Sequence, residues 1–172
     1  MKYQSNAQAP LNYGHHESPF GTCVIAFVEG RLACLAFVEV GAAAEVIGHR
    51  ARALGRTAVP AERETASLVE RIFGASDQAL REMPLWLTGT AFQRRVWQAL
   101  REVPRGETVS YGDLARQIGR PRASRAVGAA VGANPIAYVV PCHRVVRADG
   151  GLGGFRWGLR FKRSLLRAEG SL

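Results

Sequence analysis

A cysteine followed by a histidine and an arginine is the stretch of this chain best suited to covalent chemistry. Cys142, His143 and Arg144 lie between two apolar runs, and Pro141 directly precedes them. A free thiol has a pKa of about 8.5, so a neighbouring imidazole or cation is the usual means of forming the nucleophilic thiolate. The same pair is also typical of a packed core cysteine beside a satisfied polar residue. By itself, the pair leaves both interpretations open.

The elements before Cys142 are predicted to hold it rigidly beside a surface helix. Residues 136–140 are continuously apolar and predict a short buried strand, which Pro141 ends by removing a backbone donor. Residues 110–119 predict a helix with a capping box at its start, and Pro121 is expected to be the first residue of a second helix over 121–133. This order of helix, glycine-containing turn and helix is that of a helix-turn-helix.

The second helix has an unusual composition of small residues. Apart from Pro121, Arg122, Arg125 and two valines it contains only Ala, Gly and Ser, and Gly128 and Gly132 lower its intrinsic stability. Small side chains permit close approach either to another helix or to a narrow groove, such as the DNA minor groove of about 6 Å. The two arginines favour the groove.

The overall charge points to a polyanionic partner. The chain has 172 residues with 23 Lys and Arg against 14 acids, a net charge of +9. That excess favours binding to nucleic acid over a merely solvated basic surface. Three cysteines make a disulfide framework unexpected. No long apolar segment is present, and residues 1–5 lack the apolar core of a signal peptide, so we expect a soluble, cytoplasmic protein.

The N-terminal half is predicted to be a small α/β unit. Residues 22–28 and 31–38 predict a hairpin with its turn at 29–30, which would place Cys34 opposite Ile25. Residues 1–18 show no periodicity, and a metal site at His15 and His16 would need more ligands than the nearby Cys23. Helices are expected over 42–54 and 62–73.

The C-terminal half is predicted to be mainly helical. Thr90 and Gln93 match a capping box before an amphipathic helix that ends at Pro104, and residues 160–169 form a basic helix. Residues 147–158 are too rich in glycine for a helix, and their aromatic residues are suited to lining a pocket for a planar ring. The fold class is therefore α/β in the broad α+β sense, with domains at 1–87 and 88–172.

Residues 88–169 resemble the O6-alkylguanine-DNA alkyltransferases, also called methylated-DNA-protein-cysteine methyltransferases. The arginine-tryptophan-glycine segment and the early hairpin look most like the C-terminal half of the bacterial Ada protein. The motifs that carry the resemblance are GTAFQRRVWQAL at 89–100, TVSY at 108–111, RAVG at 125–128, NP at 134–135, PCHRV at 141–145 and FRWG at 155–158.

The resemblance implies a role for each matching position. Cys142 would accept the alkyl group, His143 would act as its base through a water, and Glu169 would orient His143. Asn134 would tie the recognition helix to the active-site turn. The residues expected to contact DNA or the flipped guanine are Tyr111, Arg122, Ala123, Ser124, Arg125, Val145, Phe155 and Arg156, with Val145 and Arg156 acting through their backbone groups.

The resemblance also implies fold, partner and reaction. The N-terminal domain would be ribonuclease-H-like, and the C-terminal domain would hold a winged-helix-like helix-turn-helix. A monomer would bind double-stranded DNA in the minor groove, flip out O6-alkylguanine or O4-alkylthymine, and take the alkyl group once as a suicide enzyme, without cofactor or metal. Phe155 stands where some relatives have Tyr, which leaves alkyl preference open.

Two alternatives remain at this point. The first is a DNA-lesion-binding protein of the alkyltransferase-like type, which lacks the acceptor cysteine that Cys142 provides here. The second is a thiol hydrolase that uses Cys142 and His143, which would leave the basic helix of small residues unexplained.

Overall fold

The N-terminal part contains a four-stranded sheet. The structure is a computed structural model that describes residues 8–39 and 41–172, so the prediction about residues 1–5 lies outside the described part. The strands are β1 (Leu11–Ser18), β2 (Gly21–Val28), β3 (Arg31–Phe37) and β4 (Ala58–Pro60), in the order β3-β2-β1-β4. In this sheet the β1–β4 pair is parallel, and the β1–β2 and β2–β3 pairs are antiparallel.

The predicted hairpin of β2 and β3 is confirmed, but its predicted register is wrong by one residue. Glu29 and Gly30 form the turn with positive φ angles of 49° and 73°, as a two-residue hairpin turn requires. Cys34 pairs with Ala26 and not with Ile25, because Ala33 is an extra residue in a β-bulge. The Ala33 carbonyl accepts a hydrogen bond of 2.9 Å from Arg50 Nε.

Three helices accompany this sheet. They are α1 (Ala43–Leu54), α2 (Glu62–Phe73) and α3 (Asp77–Glu82). The first two agree with the prediction, and α1 ends at Gly55 with a φ of 62°, the left-handed conformation that glycine adopts without strain. The strands β1 and β4 and the short helix α3 were not predicted.

The C-terminal part is mainly helical, as predicted. It contains α4 (Ala91–Arg101), β5 (Val109–Ser110), α5 (Tyr111–Gln117), α6 (Ser124–Gly132), a 3₁₀ turn (Cys142–Arg144), β6 (Val145–Val146) and α7 (Leu159–Ala168). The capping box at the start of α4 is complete: Thr90 Oγ1 accepts from the Gln93 N–H at 3.1 Å, and Gln93 Oε1 accepts from the Thr90 N–H at 2.9 Å.

The helix α6 begins three residues later than predicted. Pro121 lies in a turn, in which the Ala123 N–H donates to the Arg120 carbonyl at 2.8 Å, and the helix starts at Ser124. The fixed φ of proline suits the second position of a β-turn as well as it suits a first helical residue, and here the turn forms.

Residues 136–140 do not form the predicted strand. Only Ile136 makes a bridge, to Leu35, and the chain then folds back so that the Val140 N–H donates to the Ile136 carbonyl at 3.1 Å. Tyr138 adopts a positive φ of 65° in this turn. All five side chains are at most 3% exposed. The apolar run therefore indicates complete burial. A buried turn has the same sequence pattern as a buried strand.

The two parts of the chain pack on a common core. Leu35 and Ile72 from the N-terminal part belong to the same buried cluster as Trp97, Leu114 and Leu165. The domain boundary near residue 88 stays a prediction. No helix within the described ranges is long and apolar enough to cross a membrane.

Candidate active site

Cys142 lies at the start of the 3₁₀ turn and is almost completely buried. Its side chain is 2% exposed, and Sγ accepts a hydrogen bond of 3.1 Å from Asn134 Nδ2. Asn134 is itself fully buried: Nδ2 also donates to the Val140 carbonyl at 2.8 Å, and Oδ1 accepts from the Ile136 N–H at 2.9 Å. Asn134 thus joins the end of α6 to the turn that carries the thiol.

His143 and Glu169 form a buried pair next to this thiol. His143 Nε2 lies 3.0 Å from Glu169 Oε1, and neither side chain is more than 1% exposed. Because Nε2 faces a carboxylate, we assign the ring proton to Nε2, which leaves Nδ1 as an acceptor. Within the described part of the chain, Nδ1 is buried without a hydrogen-bond partner. The imidazole therefore has an unused basic nitrogen.

Burial sets the resting protonation states of the thiol and the imidazole. It raises the pKa of Cys142 to about 11, although the Asn134 hydrogen bond and the charges of Lys162 and Arg156 lower it in part. Burial also lowers the pKa of His143, against the opposing effect of Glu169. At neutral pH the resting site therefore holds a neutral thiol and a neutral imidazole.

Arg144 completes the buried charge pair, and sequence reasoning assigned it no role. Its Nε and Nη2 donate to the two oxygens of Glu169 at 2.9 and 2.8 Å, and its Nη1 donates to the Val103 carbonyl at 2.6 Å. Burial alone would raise the pKa of Glu169, but the hydrogen bonds from His143 and Arg144 lower it to about 2. Glu169 is therefore a carboxylate under all ordinary conditions.

Lys162 is a second functional residue that the sequence analysis missed. Its side chain is fully buried, and Nζ donates to the carbonyls of Val145, at 2.6 Å, of Leu152, and of Gly154, at 3.2 Å. Burial lowers its pKa to about 8. A signal was available, because Lys162 falls among Phe161, Leu165 and Leu166 on the apolar face of α7.

A cavity of about 360 Å³ opens onto the thiol. It is lined by Tyr111, Gly128, Val131, Gly132, Cys142, Gly154, Phe155 and Arg156. The structure thus brings Tyr111, Phe155 and Arg156 together with Cys142, as the resemblance implies. The two α6 glycines leave this wall open, since a Cβ at Gly132 would meet nothing within 4 Å. At Gly153, by contrast, a Cβ would lie 2.9 Å from the Tyr111 hydroxyl oxygen.

The other predicted contact residues lie outside the cavity. Arg122, Ser124 and Arg125 are exposed at the turn and first residues of α6, and Ala123 is partly exposed beside them. Val145 is buried in β6, where it pairs with Val109, and its carbonyl already accepts from Lys162. The exposed arginines lie at the start of α6, and Asn134, which follows the end of α6, contacts the thiol.

The remaining histidines and cysteines are not arranged as a metal site. His15 and His16 each lie 3.4 Å from the Glu62 carboxylate, and no group of three or more potential ligands occurs within residues 8–39 and 41–172. Cys23 and Cys34 are buried free thiols, and burial raises the pKa of each, to about 12 and about 11. Both serve as packing residues in the sheet.

Fold and site together define a class of protein in which a buried Cys-His-Glu site is coupled to a pair of short helices with exposed arginines. Comparison with known proteins identifies the family. Residues 91–171 match the model of 6-O-methylguanine DNA methyltransferase, DNA binding domain. A methylated-DNA–protein-cysteine methyltransferase of Methanosarcina acetivorans is 49% identical over 109 residues, 63% of this chain and 69% of that protein. The chain belongs to this family.

Two further relatives extend the comparison. The regulatory protein Ada of Salmonella typhimurium is 60% identical over 90 residues, which cover 52% of this chain and 26% of that protein. The chain therefore matches only about a quarter of the length of this relative. The crystal structure of Mycobacterium tuberculosis OGT in complex with DNA superposes with a TM-score of 0.70 at 38% identity, over 93% of each chain. This superposition includes the α/β part of the chain, which the family model does not cover.

Proposed function

We propose that this protein repairs DNA by moving an alkyl group from O6 of guanine to Cys142. The observation that carries the proposal is the position of the thiol. Cys142 is the reactive group in a cavity of about 360 Å³ whose walls include Tyr111, Phe155 and the small residues of α6. A cavity of this volume with aromatic residues in its walls is of a size that suits a single base.

The site contains the nucleophile and the base that a displacement by a thiolate requires. The Cys142 proton passes to Nδ1 of His143, through a water, and the resulting thiolate attacks the alkyl carbon. The S–C bond forms as the O6–C bond breaks, and the released guanine anion takes up the proton that left Cys142, by way of His143 and solvent, so that an unmodified base and a neutral His143 remain. Glu169 stabilises the imidazolium form of His143 during transfer. Because a thioether has no easy leaving group, each protein molecule reacts once.

The helices α5 and α6 are the proposed DNA-binding element. A base inside a stacked duplex cannot reach a buried thiol, so the target must be flipped out. Arg125 would occupy the space left in the stack, and Tyr111 would press on the neighbouring phosphate. Arg122, Ala123 and Ser124 would contact the minor groove, while backbone groups at Val145 and Arg156 would read the guanine edge.

Several finer features belong to the same proposal. These are a ribonuclease-H-like domain at 1–87, a winged-helix-like domain at 88–172, a monomer that acts on double-stranded DNA, and activity on O4-alkylthymine. The similarity to a structure in complex with DNA supports the DNA partner. The Phe155 side of the cavity is expected to influence which alkyl groups are accepted.

The experiment is a transfer assay with duplex DNA that contains O6-methylguanine with a labelled methyl group. Transfer should stop at one methyl per protein molecule, at any excess of substrate. Tight binding of the lesion without transfer would instead identify a lesion-binding protein. Repeated turnover of thioester substrates would identify a thiol hydrolase.

A further inference from the structure

The buried charges behind His143 extend to a residue of the N-terminal part. Arg144 Nη2 lies 2.8 Å from Glu169 Oε1 and 3.2 Å from Asp77 Oδ1. Asp77 is the first residue of α3, outside the residues 91–171 that match the family model. An acid from beyond the matched segment therefore contacts the cation that shares Glu169 with His143.

Asp77 is held firmly in this position. Its Oδ2 accepts from Arg81 Nη2 at 2.6 Å and from the Arg105 N–H at 3.3 Å, while Oδ1 is directed at Arg144. Burial raises the pKa of Asp77, but the hydrogen bonds and charges of Arg81 and Arg144 lower it overall. Asp77 is therefore ionised at neutral pH.

The charge balance of the site depends on this second acid. While His143 is neutral, the charges of Glu169 and Arg144 cancel. Once His143 gains the Cys142 proton, the thiolate balances the overall charge, but at Glu169 two buried cations share one carboxylate, which is costly. The Asp77 carboxylate, although it also binds Arg81, gives Arg144 a second negative partner. Its side chain is 25% exposed, so solvent weakens this effect without removing it.

The other charged and titratable groups around His143 do not replace Asp77. Lys162 of α7 is a cation and disfavours the imidazolium. The Tyr138 ring stacks on His143 at 6.3 Å, and its hydroxyl oxygen accepts from Arg105 at 3.1 Å. Glu102, the acid next to Arg81, is 3.9 Å from that side chain at the surface and 77% exposed.

We propose that Asp77 is a positioning residue for alkyl transfer, which acts through Arg144 and Glu169 to stabilise the protonated His143 that forms when Cys142 loses its proton. This inference rests on the proposed function. It assigns part of the reaction to the α/β half of the chain, which would otherwise serve only as a support.

The test is the pH dependence of the single-turnover rate of Asp77→Asn with methylated duplex DNA. The acid limb of the profile reports protonation of His143, and without Asp77 the pKa of His143 falls. We expect this limb to move to lower pH by about 0.5 to 1 unit and the plateau rate to drop about three- to tenfold, since one pKa unit corresponds to a factor of ten. Asp77→Ser is a second neutral variant for the case that Asp77→Asn folds poorly, and we expect it to give the same shift.

Two control variants separate this role from a structural one. Glu82→Gln removes an exposed acid from the same helix and should leave the profile unchanged. Asp77→Glu should restore the wild-type profile. Neutral Asp77 variants with the wild-type profile would overturn the inference, whereas a wild type that transfers no alkyl group would overturn the proposed function.

Discussion

At the scale of single residues, Glu169 links the chemistry of the site to its stability. Its carboxylate binds both Arg144 and His143 in the interior, and its pKa falls from the ordinary 4.5 to about 2. A carboxylate with a depressed pKa stabilises the folded state above its unfolded pKa, and this contribution is lost as the pH falls through the folded value.

We therefore predict that ionised Glu169 contributes on the order of 3 kcal/mol to the free energy of unfolding at pH 7. This contribution disappears as the pH falls from about 4.5 to about 2. Urea denaturation of the wild type and Glu169→Gln should show a large difference in unfolding free energy at neutral pH and a much smaller one near pH 2. Glu64→Gln, on the exposed face of α2, is the matched control. Parallel pH curves for the wild type and Glu169→Gln would contradict this role.

The sequence made some site residues predictable and hid others for identifiable reasons. The chemistry of Cys142 and His143 makes them candidates, and the resemblance to the family supplies Asn134 and Glu169. Lys162 and Arg144 were missed because an isolated charge in a sequence is expected in solvent, and only the fold shows which carbonyls or carboxylates meet it. Asp77 had no signal at all, since its partner lies 67 positions along the chain.

At the scale of elements, Lys162 anchors the glycine-rich segment 147–158 to α7. That segment carries Phe155 and Arg156 into the cavity but forms no helix or strand of its own. Its carbonyls at Leu152 and Gly154, together with that of Val145, converge on one ammonium group. The cavity wall thus depends on a single buried cation.

We predict that Lys162→Met destabilises the protein by about 2–4 kcal/mol, because a buried carbonyl without a donor, here that of Val145, costs about 1–3 kcal/mol and the two partly buried carbonyls add to this. The melting temperature should fall by roughly 5–15 °C for a chain of this size. Arg163→Met removes an exposed charge from the next position of the same helix and should have little effect. Equal melting temperatures for the two variants would argue against the anchor.

The helix α6 presents Arg125 to solvent, while Gly128 and Gly132 of the same helix line the cavity. We predict that Arg125→Ala slows transfer from duplex DNA by about tenfold or more, because flipping a stacked base costs a few kcal/mol. Transfer from single strands or from free benzylguanine should change little. Arg71→Ala, an exposed arginine on α2, serves as the control. An equal loss on all three substrates would mean that Arg125 has another role.

Elements were predictable where their own sequence carries a pattern. The β2–β3 hairpin and the helices α1, α2 and α4 have strong periodicity or caps. Strand β1 has a polar, irregular sequence and is held by pairing with β2, so no local signal exists. The bulge at Ala33 and the turn at residues 136–140 depend on contacts with Arg50 and Leu35, which are distant in sequence.

At the scale of the whole molecule, the α/β part and the helical part share a hydrophobic core that includes Cys142. They are also joined by the ion pair of Asp77 and Arg144. The Asn134 amide binds Sγ directly, so a change at the sulfur reaches the end of α6. We predict that alkylation of Cys142 lowers the melting temperature by roughly 2–4 °C, because a thioether is a poorer acceptor and a weakened buried hydrogen bond costs about 1 kcal/mol.

Thermal melts before and after reaction with benzylguanine test this effect. Cys142→Ser, which cannot react, controls for simple binding of the reagent. An unchanged or raised melting temperature of the alkylated protein would show that the cavity accepts the group without cost to the fold.

The central claim is that Cys142 is the permanent acceptor of an alkyl group from DNA. The most direct measurement is the intact mass of the protein after incubation with duplex DNA containing O6-methylguanine, followed by peptide mapping. The account predicts a gain of one methyl group, located on Cys142 and absent from Cys23 and Cys34. A protein of unchanged mass, or a methyl group on any other residue, would contradict it.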